Sequence, residues 1–300
     1  MMKVLEMRGL ARAYERGRNV LEDLDLTIEA GEVIGLLGRN GAGKTTLLRL
    51  ALGLLEPQHG EVKVFGLDPQ REPEAVKRRV GYVAEDQILP GFLRVHEVID
   101  LHRRLYPGWD EELAAELASR FHMRGDQRIK QLSKGQARQV ALLCAVAHRP
   151  SLLLLDEPAG GLDPAMRREF LETAIQLLGE SGTAIVFSSH HMTDVERLAS
   201  RLVMLHDSQK WIDSALDDVR EGYCLALAPL ADGVSARAML AQADCLSARE
   251  RDGTVRAIFE LDPEACRRRL EREFSPRELR CLPLPLEEMF IELVGRGGWS

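Results

Sequence analysis

Short runs of apolar residues recur along the first two thirds of the chain, and each is followed by a polar or glycine-rich segment. The runs have the length of buried strands, whereas several segments between them repeat apolar residues at helical spacing. Strands that alternate with helices in this way predict an α/β domain built on a parallel sheet. The runs that we interpret as core strands are residues 33–37, 80–83, 152–155, 184–188 and 201–206.

Three further patterns surround these core runs. Residues 3–8 and 20–28 alternate apolar and polar side chains, as half-buried antiparallel strands do. Residues 95–147 carry apolar side chains at helical spacing and predict a helical insert between two strands of the sheet. The later part of the chain shows short strand patterns and an Arg- and Glu-rich helix, which predict a small α+β domain. The predicted division is accordingly residues 1–220, with a helical subdomain at about 90–148, and residues 221–300.

Composition and charge narrow the class of protein. Hydrophobic residues make up 45% of the 300-residue chain and charged residues 29%, which is typical of a soluble globular protein. The formal net charge of −7 argues against a surface that coats nucleic acid, so we expect no nucleic-acid partner. The five cysteines form no C-x-x-C pair, and we expect reduced thiols.

The chain shows no pattern that predicts a membrane anchor of its own. Its N-terminus lacks the apolar stretch of a signal peptide. The most apolar region, residues 140–155, is interrupted by His148-Arg149-Pro150 and is too broken to span a bilayer. If the protein works at a membrane, another chain must supply the spanning helices.

The clearest chemical motif follows the first core strand. It reads Gly38-Arg39-Asn40-Gly41-Ala42-Gly43-Lys44-Thr45-Thr46 and fits the phosphate-binding pattern G-x-x-x-x-G-K-[ST]. The glycines let successive N–H groups point into one concavity, and the following helix adds its partial positive charge. Lys44 can reach the β- and γ-phosphates of a nucleotide, and the Thr45 hydroxyl can bind Mg²⁺. The alternative is a glycine-rich turn followed by Lys-Thr, and the flanking strand and helix argue against it.

Two carboxylates at the end of another core strand complement this loop. The four leucines of Leu152–Leu155 are followed directly by Asp156 and Glu157. In phosphate-loop enzymes an aspartate at this place holds Mg²⁺ through water, and an adjacent glutamate can polarise the attacking water. We therefore assign Asp156 to the metal and Glu157 to the general base, with two surface acids at a strand end as the alternative.

Polar side chains near other strands give weaker signals. Tyr14 lies among arginines upstream of the phosphate loop, where an aromatic ring is either ordinary surface or a face on which a nucleotide base stacks. Glu85 and Gln87 follow the strand at 80–83, at the end where ligands bind in an open α/β sheet, although a plain loop has the same pattern. His190 follows the strand at 184–188. A lone histidine there is usually structural, but this one would share the sheet edge with the two acids.

Helix starts supply the remaining candidates. Ser133 is a good N-cap for the apolar helix that follows it, and Asp163 caps the next helix with Pro164 at its first position. The N–H groups at Ser133 either form a second anion site or are simply capped. The sequence from Thr193 to Glu196 matches a capping box and predicts the start of another helix.

Taken together, these motifs resemble those of the ATP-binding subunits of ABC transporters, over about residues 5–213 and in the family's order. The phosphate loop matches Walker A, and the leucine strand with its two acids matches Walker B. Tyr14 lies where the adenine-stacking aromatic of the family occurs. The signature, the D-loop and the switch histidine are matched by Leu132-Ser133-Lys134-Gly135-Gln136, Gly161-Leu162-Asp163 and His190.

Two positions depart from the family's pattern. Lys134 replaces the first glycine of the LSGGQ signature. Glu85 stands where the Q-loop usually has glutamine, with Gln87 two residues further on, so either residue is a candidate for that role. Within the family, bacterial exporters of the ABC-2 type, and among them the YtrB-like group, look most similar. That similarity rests on residues 131–136, 106–110 and 284–287.

The resemblance implies an α/β fold with a RecA-like phosphate-loop core, an antiparallel β subdomain and the helical insert, followed by the small α+β domain. It also implies that two such chains, identical or different, pack head to tail. Each ATP would then lie between the Walker A loop of one chain and residues 133–136 of the other. Hydrolysis would separate the pair and move helices in a membrane partner.

The same resemblance implies specific roles for the matching residues. Lys44, Glu157 and His190 would act in hydrolysis, and Mg²⁺ would be held by Thr45, Asp156 and Glu85. The residues implied to contact ATP are Tyr14, Gly38, Arg39, Asn40, Gly41, Ala42, Gly43, Lys44, Thr45, Thr46, Glu85, Ser133, Gly135, Gln136 and Asp163.

We therefore expect an ATPase subunit on the cytoplasmic face of the membrane that drives export through separate integral membrane permease subunits. One rival is an ABC ATPase that acts in translation or DNA repair. Such proteins usually carry two cassettes or a long coiled-coil insert, whereas this chain has one cassette and no sustained heptads. A small-molecule kinase, the second rival, has no use for residues 132–136 or for His190.

Overall fold

The computed structural model describes residues 2–15, 18–86, 89–158, 160, 162–179, 182–230, 234–276 and 278–294. The chain divides into two compact units, Met1–Asp213 and Ser214–Ser300. The composition changes a little later, at about residue 220. We describe each unit by itself.

The first unit combines strands and helices in the order that the apolar runs predict. Its strands are β1 (Lys3–Glu15), β2 (Arg18–Glu29), β3 (Val33–Gly38), β4 (His59–Val64), β5 (Val80–Val83), β6 (Leu152–Leu155), β7 (Ala184–Ser189), β8 (Arg201–His206) and β9 (Gln209–Ala215). Its helices are α1 (Lys44–Ala51), α2 (Pro73–Lys77), α3 (Val95–Leu105), α4 (Glu111–Arg120), α5 (Lys134–Val146), α6 (Pro164–Gly179) and α7 (Met192–Leu198).

Two sheets carry this unit. The larger has the order β5-β6-β7-β3-β8-β9, and the pairs β5–β6, β6–β7, β7–β3 and β3–β8 are parallel. The smaller is antiparallel with the order β2-β1-β4. One apolar cluster joins residues of both sheets with helix α1. Because the strands of the larger sheet run parallel, the residues that follow β3, β5, β6 and β7 meet at one edge.

The helical insert lies between β5 and β6, as the spacing of residues 95–147 predicts. It consists of α3, α4, a 3₁₀ turn at Ile129–Gln131 and α5. The predicted cap at Ser133 is confirmed, since Ser133 Oγ accepts the N–H of Gln136. Asp110 caps α4 in the same way, because its Oδ1 accepts the N–H of Leu113. These caps fix where α4 and α5 begin.

The second unit is an antiparallel sheet with helices. Its strands pair in the order β11-β12-β10-β13. These elements are β10 (Cys224–Pro229), β11 (Cys245–Arg251), β12 (Thr254–Phe259), β13 (Arg280–Pro283), α8 (Leu216–Gly222), α9 (Ala236–Leu240), α10 (Pro263–Phe274) and α11 (Leu286–Val294). The helix α10 begins at Pro263, after its N-cap Asp262, whose carboxylate accepts two backbone N–H groups.

One local prediction is wrong. The capping box from Thr193 to Glu196 does not start a helix, because α7 already begins at Met192 with His191 as its N-cap. Thr193 therefore lies inside the first turn of α7. The N-cap His191 makes no side-chain hydrogen bond. The predicted cap at Asp163 is confirmed, since its carboxylate accepts the N–H groups of Ala165 and Met166.

Candidate active site

The phosphate loop connects the end of β3 to the start of α1. Gly41 and Gly43 have φ angles of 82° and 102°, in the left-handed region that favours glycine. A Cβ on Gly43 would also lie 2.7 Å from Leu21 Cδ2 and 2.9 Å from the Val20 carbonyl, so no larger residue fits. Helix α1 has no side-chain cap at its N-terminus. Its first N–H groups are therefore left for a bound anion.

Lys44 is buried at the centre of this loop. Its Nζ donates to the carbonyls of Gly38 at 2.7 Å and of Arg39 at 3.3 Å, and lies 3.2 Å from Glu157 Oε1. Only 6% of Lys44 is exposed, so this charge depends on those three oxygens. The contact with Glu157 does not have hydrogen-bond geometry, and that carboxylate oxygen has no hydrogen-bond partner. The two residues thus form a close ion pair that a stronger ligand could replace.

Asp156 sits in a chain of hydroxyl groups at the end of β6. Its Oδ1 accepts from Thr45 Oγ1 at 3.1 Å and from Ser188 Oγ at 3.0 Å. Burial raises the pKa of the Asp156 carboxyl, and the hydrogen bonds from Thr45 and Ser188 oppose that rise. This carboxylate and the Thr45 hydroxyl are hard oxygen ligands of the kind that Mg²⁺ prefers. The residues therefore fit a magnesium site.

Glu157 connects this chain to the next strand. Its Oε2 lies 2.8 Å from His190 Nδ1, and its N–H donates to Ser188 Oγ at 2.7 Å. Glu157 has a φ of 41°, a conformation that costs a residue with a side chain on the order of 1 kcal/mol or more. The anchored N–H holds the backbone in that conformation. As a result the carboxylate lies between Lys44 and His190.

Tyr14, near the end of β1, is brought next to the phosphate-loop helix. Its hydroxyl lies 3.1 Å from Thr46 Oγ1, and 54% of the residue is exposed. The Arg12 guanidinium carbon lies 5.7 Å from the centre of the ring. An aromatic face beside the loop is thus open to solvent.

Glu85 follows β5 at the same edge of the sheet, and its side chain is exposed. In the described residues the hydrogen bonds of Asp156 run to Thr45 and Ser188, so the Glu85 carboxylate is not part of that chain of contacts. Gln87, the alternative Q-loop residue, lies outside the described residues. The choice between the two therefore stays a prediction to test.

The signature segment forms the N-terminus of α5. Ser133 and Gln136 cap each other reciprocally, with Ser133 N–H donating to Gln136 Oε1 at 2.9 Å, and both are exposed. Gly135 is buried, and a Cβ there would lie 2.9 Å from Met166 Cε. Within the described residues no hydrogen bond or ion pair joins this segment to the group around Lys44. Asp163 is likewise exposed, at the start of α6.

Sequence reasoning missed two residues of this site. One is Ser188, which lies one residue before the end of β7 and carries no motif, although its hydroxyl bonds the Asp156 carboxylate and the Glu157 N–H. The other is Arg138, on α5. It donates to the carbonyls of Pro158 at 3.0 Å, of Gly160, and of Glu85 at 2.8 Å. Arg138 therefore ties the signature helix to the segments that follow β5 and β6.

Comparison with known proteins decides the family. Residues 21–160 match the family model for ABC transporters. The ABC transporter ATP-binding protein YtrB of Bacillus subtilis (strain 168) is 31% identical over 292 residues, which is 97% of this chain and 98% of that protein. The chain belongs to the ABC transporter ATP-binding proteins. The predicted family is confirmed, and so are the predicted RecA-like fold and the prediction of an ATPase subunit of a transporter.

Other relatives agree with this family. NatA of the same Bacillus strain is 36% identical over 73% of this chain and 92% of its own length. The Nod factor export ATP-binding protein I of Rhizobium leguminosarum bv. viciae is 31% identical over 97% of this chain and 95% of its own. The solved ATP-binding subunit of an ABC transporter is 31% identical, with a TM-score of 0.66 over 72% of this chain and 92% of that one.

A dimeric solved structure also resembles the chain. The bacterial ABC transporter cassette MJ0796 was solved as a dimer and is 25% identical, with a TM-score of 0.63 over 71% of this chain and 98% of that one.

In the part of this chain that the structure describes, none of the helices has the length and apolarity that a membrane crossing requires. ATP-binding subunits of this family dimerise and work with a membrane permease.

Proposed function

We propose that this chain hydrolyses Mg·ATP with Glu157 as general base and uses the reaction to drive export through separate membrane subunits. The observation that carries the proposal is the meeting of Lys44, Asp156, Glu157 and His190 at one edge of the sheet. Glu157 contacts both Lys44 and His190, at 3.2 Å and 2.8 Å. This group combines a cationic side chain (Lys44), a candidate metal ligand (Asp156) and a candidate proton acceptor (Glu157), as an ATPase site requires.

Lys44 is the proposed ligand of the β- and γ-phosphates. Its ammonium group is held by two loop carbonyls and by the Glu157 carboxylate. A phosphate oxygen carries more charge than a carbonyl and competes with Glu157 for this ammonium group. We infer that nucleotide binding breaks the ion pair between Lys44 and Glu157. Glu157 is then free to accept a proton from water.

Magnesium is the proposed ion at Thr45 and Asp156, with Glu85 as a further candidate ligand. The two oxygens that meet at 3.1 Å supply a hydroxyl and a carboxylate, which suit a hard divalent cation. When bound, the ion neutralises charge on the phosphate oxygens. Burial of Asp156 raises the pKa of its carboxyl, because the charged form lacks solvent. A bound cation would compensate that loss.

Glu157 and His190 form the proposed proton-handling pair. Glu157 is 7% exposed and lies beside the phosphate loop through its contact with Lys44. Its Oε2 contacts His190 Nδ1, which leaves the other ring nitrogen of His190 to contact the substrate. General-base help from a positioned carboxylate is typically worth about 10² to 10⁴ in rate.

A second chain is proposed to complete the site. Ser133, Gln136 and Asp163 are exposed, and within the described residues no hydrogen bond or ion pair joins them to Lys44. The resemblance to the family's motifs nevertheless implies that they contact the nucleotide. A head-to-tail dimer would reconcile the two, because the N-terminus of α5 from one chain would then face the γ-phosphate bound by the other. The solved dimeric cassette with a TM-score of 0.63 supports this arrangement.

Export as the direction of transport rests on relatives. The Nod factor export protein is similar over nearly the whole length of both chains. Since this family works with a membrane permease, we propose a position at the inner face of the cell membrane. Adenine stacking on Tyr14 completes the proposed site, because that ring is exposed beside Thr46.

The test is affinity purification of the tagged chain from solubilised membranes, combined with an ATPase assay. We expect a multi-span membrane protein to co-purify and ATP hydrolysis to require Mg²⁺. The matched control is Lys44→Ala, which should lose hydrolysis but keep the membrane partner, because Lys44 is buried and does not lie on an outer surface. Co-purification of ribosomes in place of a membrane protein would reject the transport assignment. Near wild-type hydrolysis by Lys44→Ala would reject the assigned site.

A further inference from the structure

Three buried cysteines of the second unit come together from three separate elements. Cys224 begins β10, Cys266 lies in the first turn of α10, and Cys281 lies on β13. Their sulfur atoms all lie within 4.8 Å of one another. In the part of the chain that the structure describes, no other cluster of three or more His, Cys, Asp or Glu residues is close enough to hold a metal ion. The ATPase chemistry of the first unit makes no use of this cluster.

The register of the sheet explains why two of the thiols share a face. Strands β10 and β13 are antiparallel, with Ala226 opposite Cys281 and Cys224 opposite Pro283. Residues two positions apart along a strand point to the same side, so Cys224 and Cys281 are diagonal neighbours on one face. Helix α10 brings Cys266 onto that face. All three belong to the apolar core of the unit, and their exposed fractions are 0%, 0% and 5%.

Positive charge lies close to this set of thiols. Cys266 lies in the first turn of α10, and its N–H bonds the carbonyl of the N-cap Asp262 at 2.9 Å. The N-terminal end of a helix carries partial positive charge. The Arg267 side chain lies close to Cys281. Both sources of positive charge would offset the net negative charge of three thiolates around a monovalent ion.

We propose that Cys224, Cys266 and Cys281 bind one soft, thiophilic metal ion, and that monovalent copper is the ion that fits best. A metal–sulfur distance of about 2.3 Å would place three sulfurs around one ion roughly 4 Å apart. The observed upper limit of 4.8 Å is reached from that spacing by small rotations of the side chains.

The number of ligands selects the ion. Soft thiolates suit Cu(I), Zn²⁺ and iron–sulfur clusters, but a structural Zn²⁺ takes four ligands. No fourth His, Cys or carboxylate joins the three sulfurs among the described residues. Cu(I) accepts three sulfur ligands in a plane and needs no fourth. The plain alternative is that the three thiols only pack as small apolar groups.

The site is independent of the proposed function, because it lies wholly in the second unit. The test uses the full chain, reduced and kept free of oxygen, and titrates it with Cu(I) held by a coloured chelator such as bicinchoninate. We expect each chain to withdraw one equivalent of copper. Each of Cys224→Ser, Cys266→Ser and Cys281→Ser should weaken binding by at least about a hundredfold, since each removes one of three ligands.

Cys245→Ser is the matched control. Cys245 lies on β11 of the same sheet, opposite Phe259 of β12, and is not part of the cluster, so this variant should bind copper like the wild type. Copper should also raise the unfolding temperature of the wild type and of Cys245→Ser, but not that of Cys281→Ser. The unfolding curve without copper shows whether each variant is folded.

Four results would overturn the proposal. One is full copper binding by Cys281→Ser, and another is an equal loss in Cys245→Ser. The third is a wild type that leaves all copper on the chelator and binds no Zn²⁺, which would make the thiols packing residues only. The fourth is stoichiometric binding of Zn²⁺ without binding of Cu(I), which would overturn the choice of ion.

Discussion

Replacement of Ser188 by alanine tests how the acidic end of β6 is held. Ser188 Oγ accepts the N–H of Glu157 at 2.7 Å and donates to Asp156 Oδ1 at 3.0 Å. The residue is completely buried, so solvent does not simply take over either bond. The substitution removes one oxygen atom and leaves the size of the side chain almost unchanged. Its effect therefore reports on the two hydrogen bonds.

The expected cost follows from those bonds. Leaving a buried N–H unpaired costs about 1–3 kcal/mol, and a hydrogen bond to a charged group contributes about 1.5–3 kcal/mol. Thr45 still donates to Asp156 after the change, so the second loss is partial. We expect the first unit to lose roughly 2–4 kcal/mol of its free energy of unfolding. For a unit of this size the Tm should fall by about 4–16 °C.

Thermal unfolding followed by tryptophan fluorescence is the assay, because Trp109 and Trp211 both lie in the first unit. Ser189→Ala is the matched control, because it removes the neighbouring hydroxyl, whose hydrogen bonds among the described residues run to the backbone of His191. Ser188 also anchors Glu157 at its φ of 41°, so kcat should fall by roughly ten- to a hundredfold. If Ser188→Ala is as stable and as active as Ser189→Ala, the reasoning about this site is wrong.

Substitutions at Tyr14 and at the Q-loop candidates Glu85 and Gln87 test the nucleotide contacts. Tyr14→Ala should weaken ATP binding by about 1–3 kcal/mol, the usual contribution of a base stacked on an aromatic ring, while Tyr14→Phe should keep most of the affinity although it loses the bond to Thr46. Equal affinities of all three proteins, measured by calorimetry, would make Tyr14 ordinary surface. Glu85→Gln should retain ATPase activity and Glu85→Ala should impair it, with the bond from Arg138 to the Glu85 carbonyl kept in both. A silent Glu85→Ala beside a damaging Gln87→Ala would give the Q-loop role to Gln87.

The sequence predicts much of the larger sheet and of the edge that carries the site, because both depend on short stretches of neighbouring residues. Short apolar runs such as Leu152–Leu155 are buried on both faces, and that burial is visible in the run itself. Once the strands are parallel, the residues after them must meet at one edge. The proximity of Lys44, Asp156 and His190 follows from the strand pattern and the motifs together.

The contacts within that edge are not local, and the sequence does not reveal them. Ser188 follows the apolar residues of β7 and cannot be distinguished by sequence from a serine with no role. Arg138 bonds carbonyls that lie far away along the chain, and no side-chain pattern marks a carbonyl acceptor. No sequence pattern marks the three cysteines of the second unit as neighbours, because their closeness depends on the register of β10 and β13.

At the start of α7 the sequence instead predicts a feature that the structure does not contain. Thr193 and Glu196 have the spacing of a capping box, but the chain already turns into the helix at His191. The start of α7 is set by the end of the preceding strand, β7, and the capping motif at Thr193 does not determine it. A capping motif predicts a helix start only when the preceding residues remain extended.

The most direct test of the central claim is size-exclusion chromatography of Glu157→Gln in Mg·ATP, run beside a hydrolysis assay. Glutamine keeps the shape of Glu157 but cannot take a proton from water, so ATP should bind without being cleaved. Because the bound ATP would join two chains through residues 133–136, the variant should elute as a dimer while the wild type is mostly monomeric. A Glu157→Gln protein that still hydrolyses ATP rapidly, or one that is inactive yet monomeric at saturating ATP, would contradict the account.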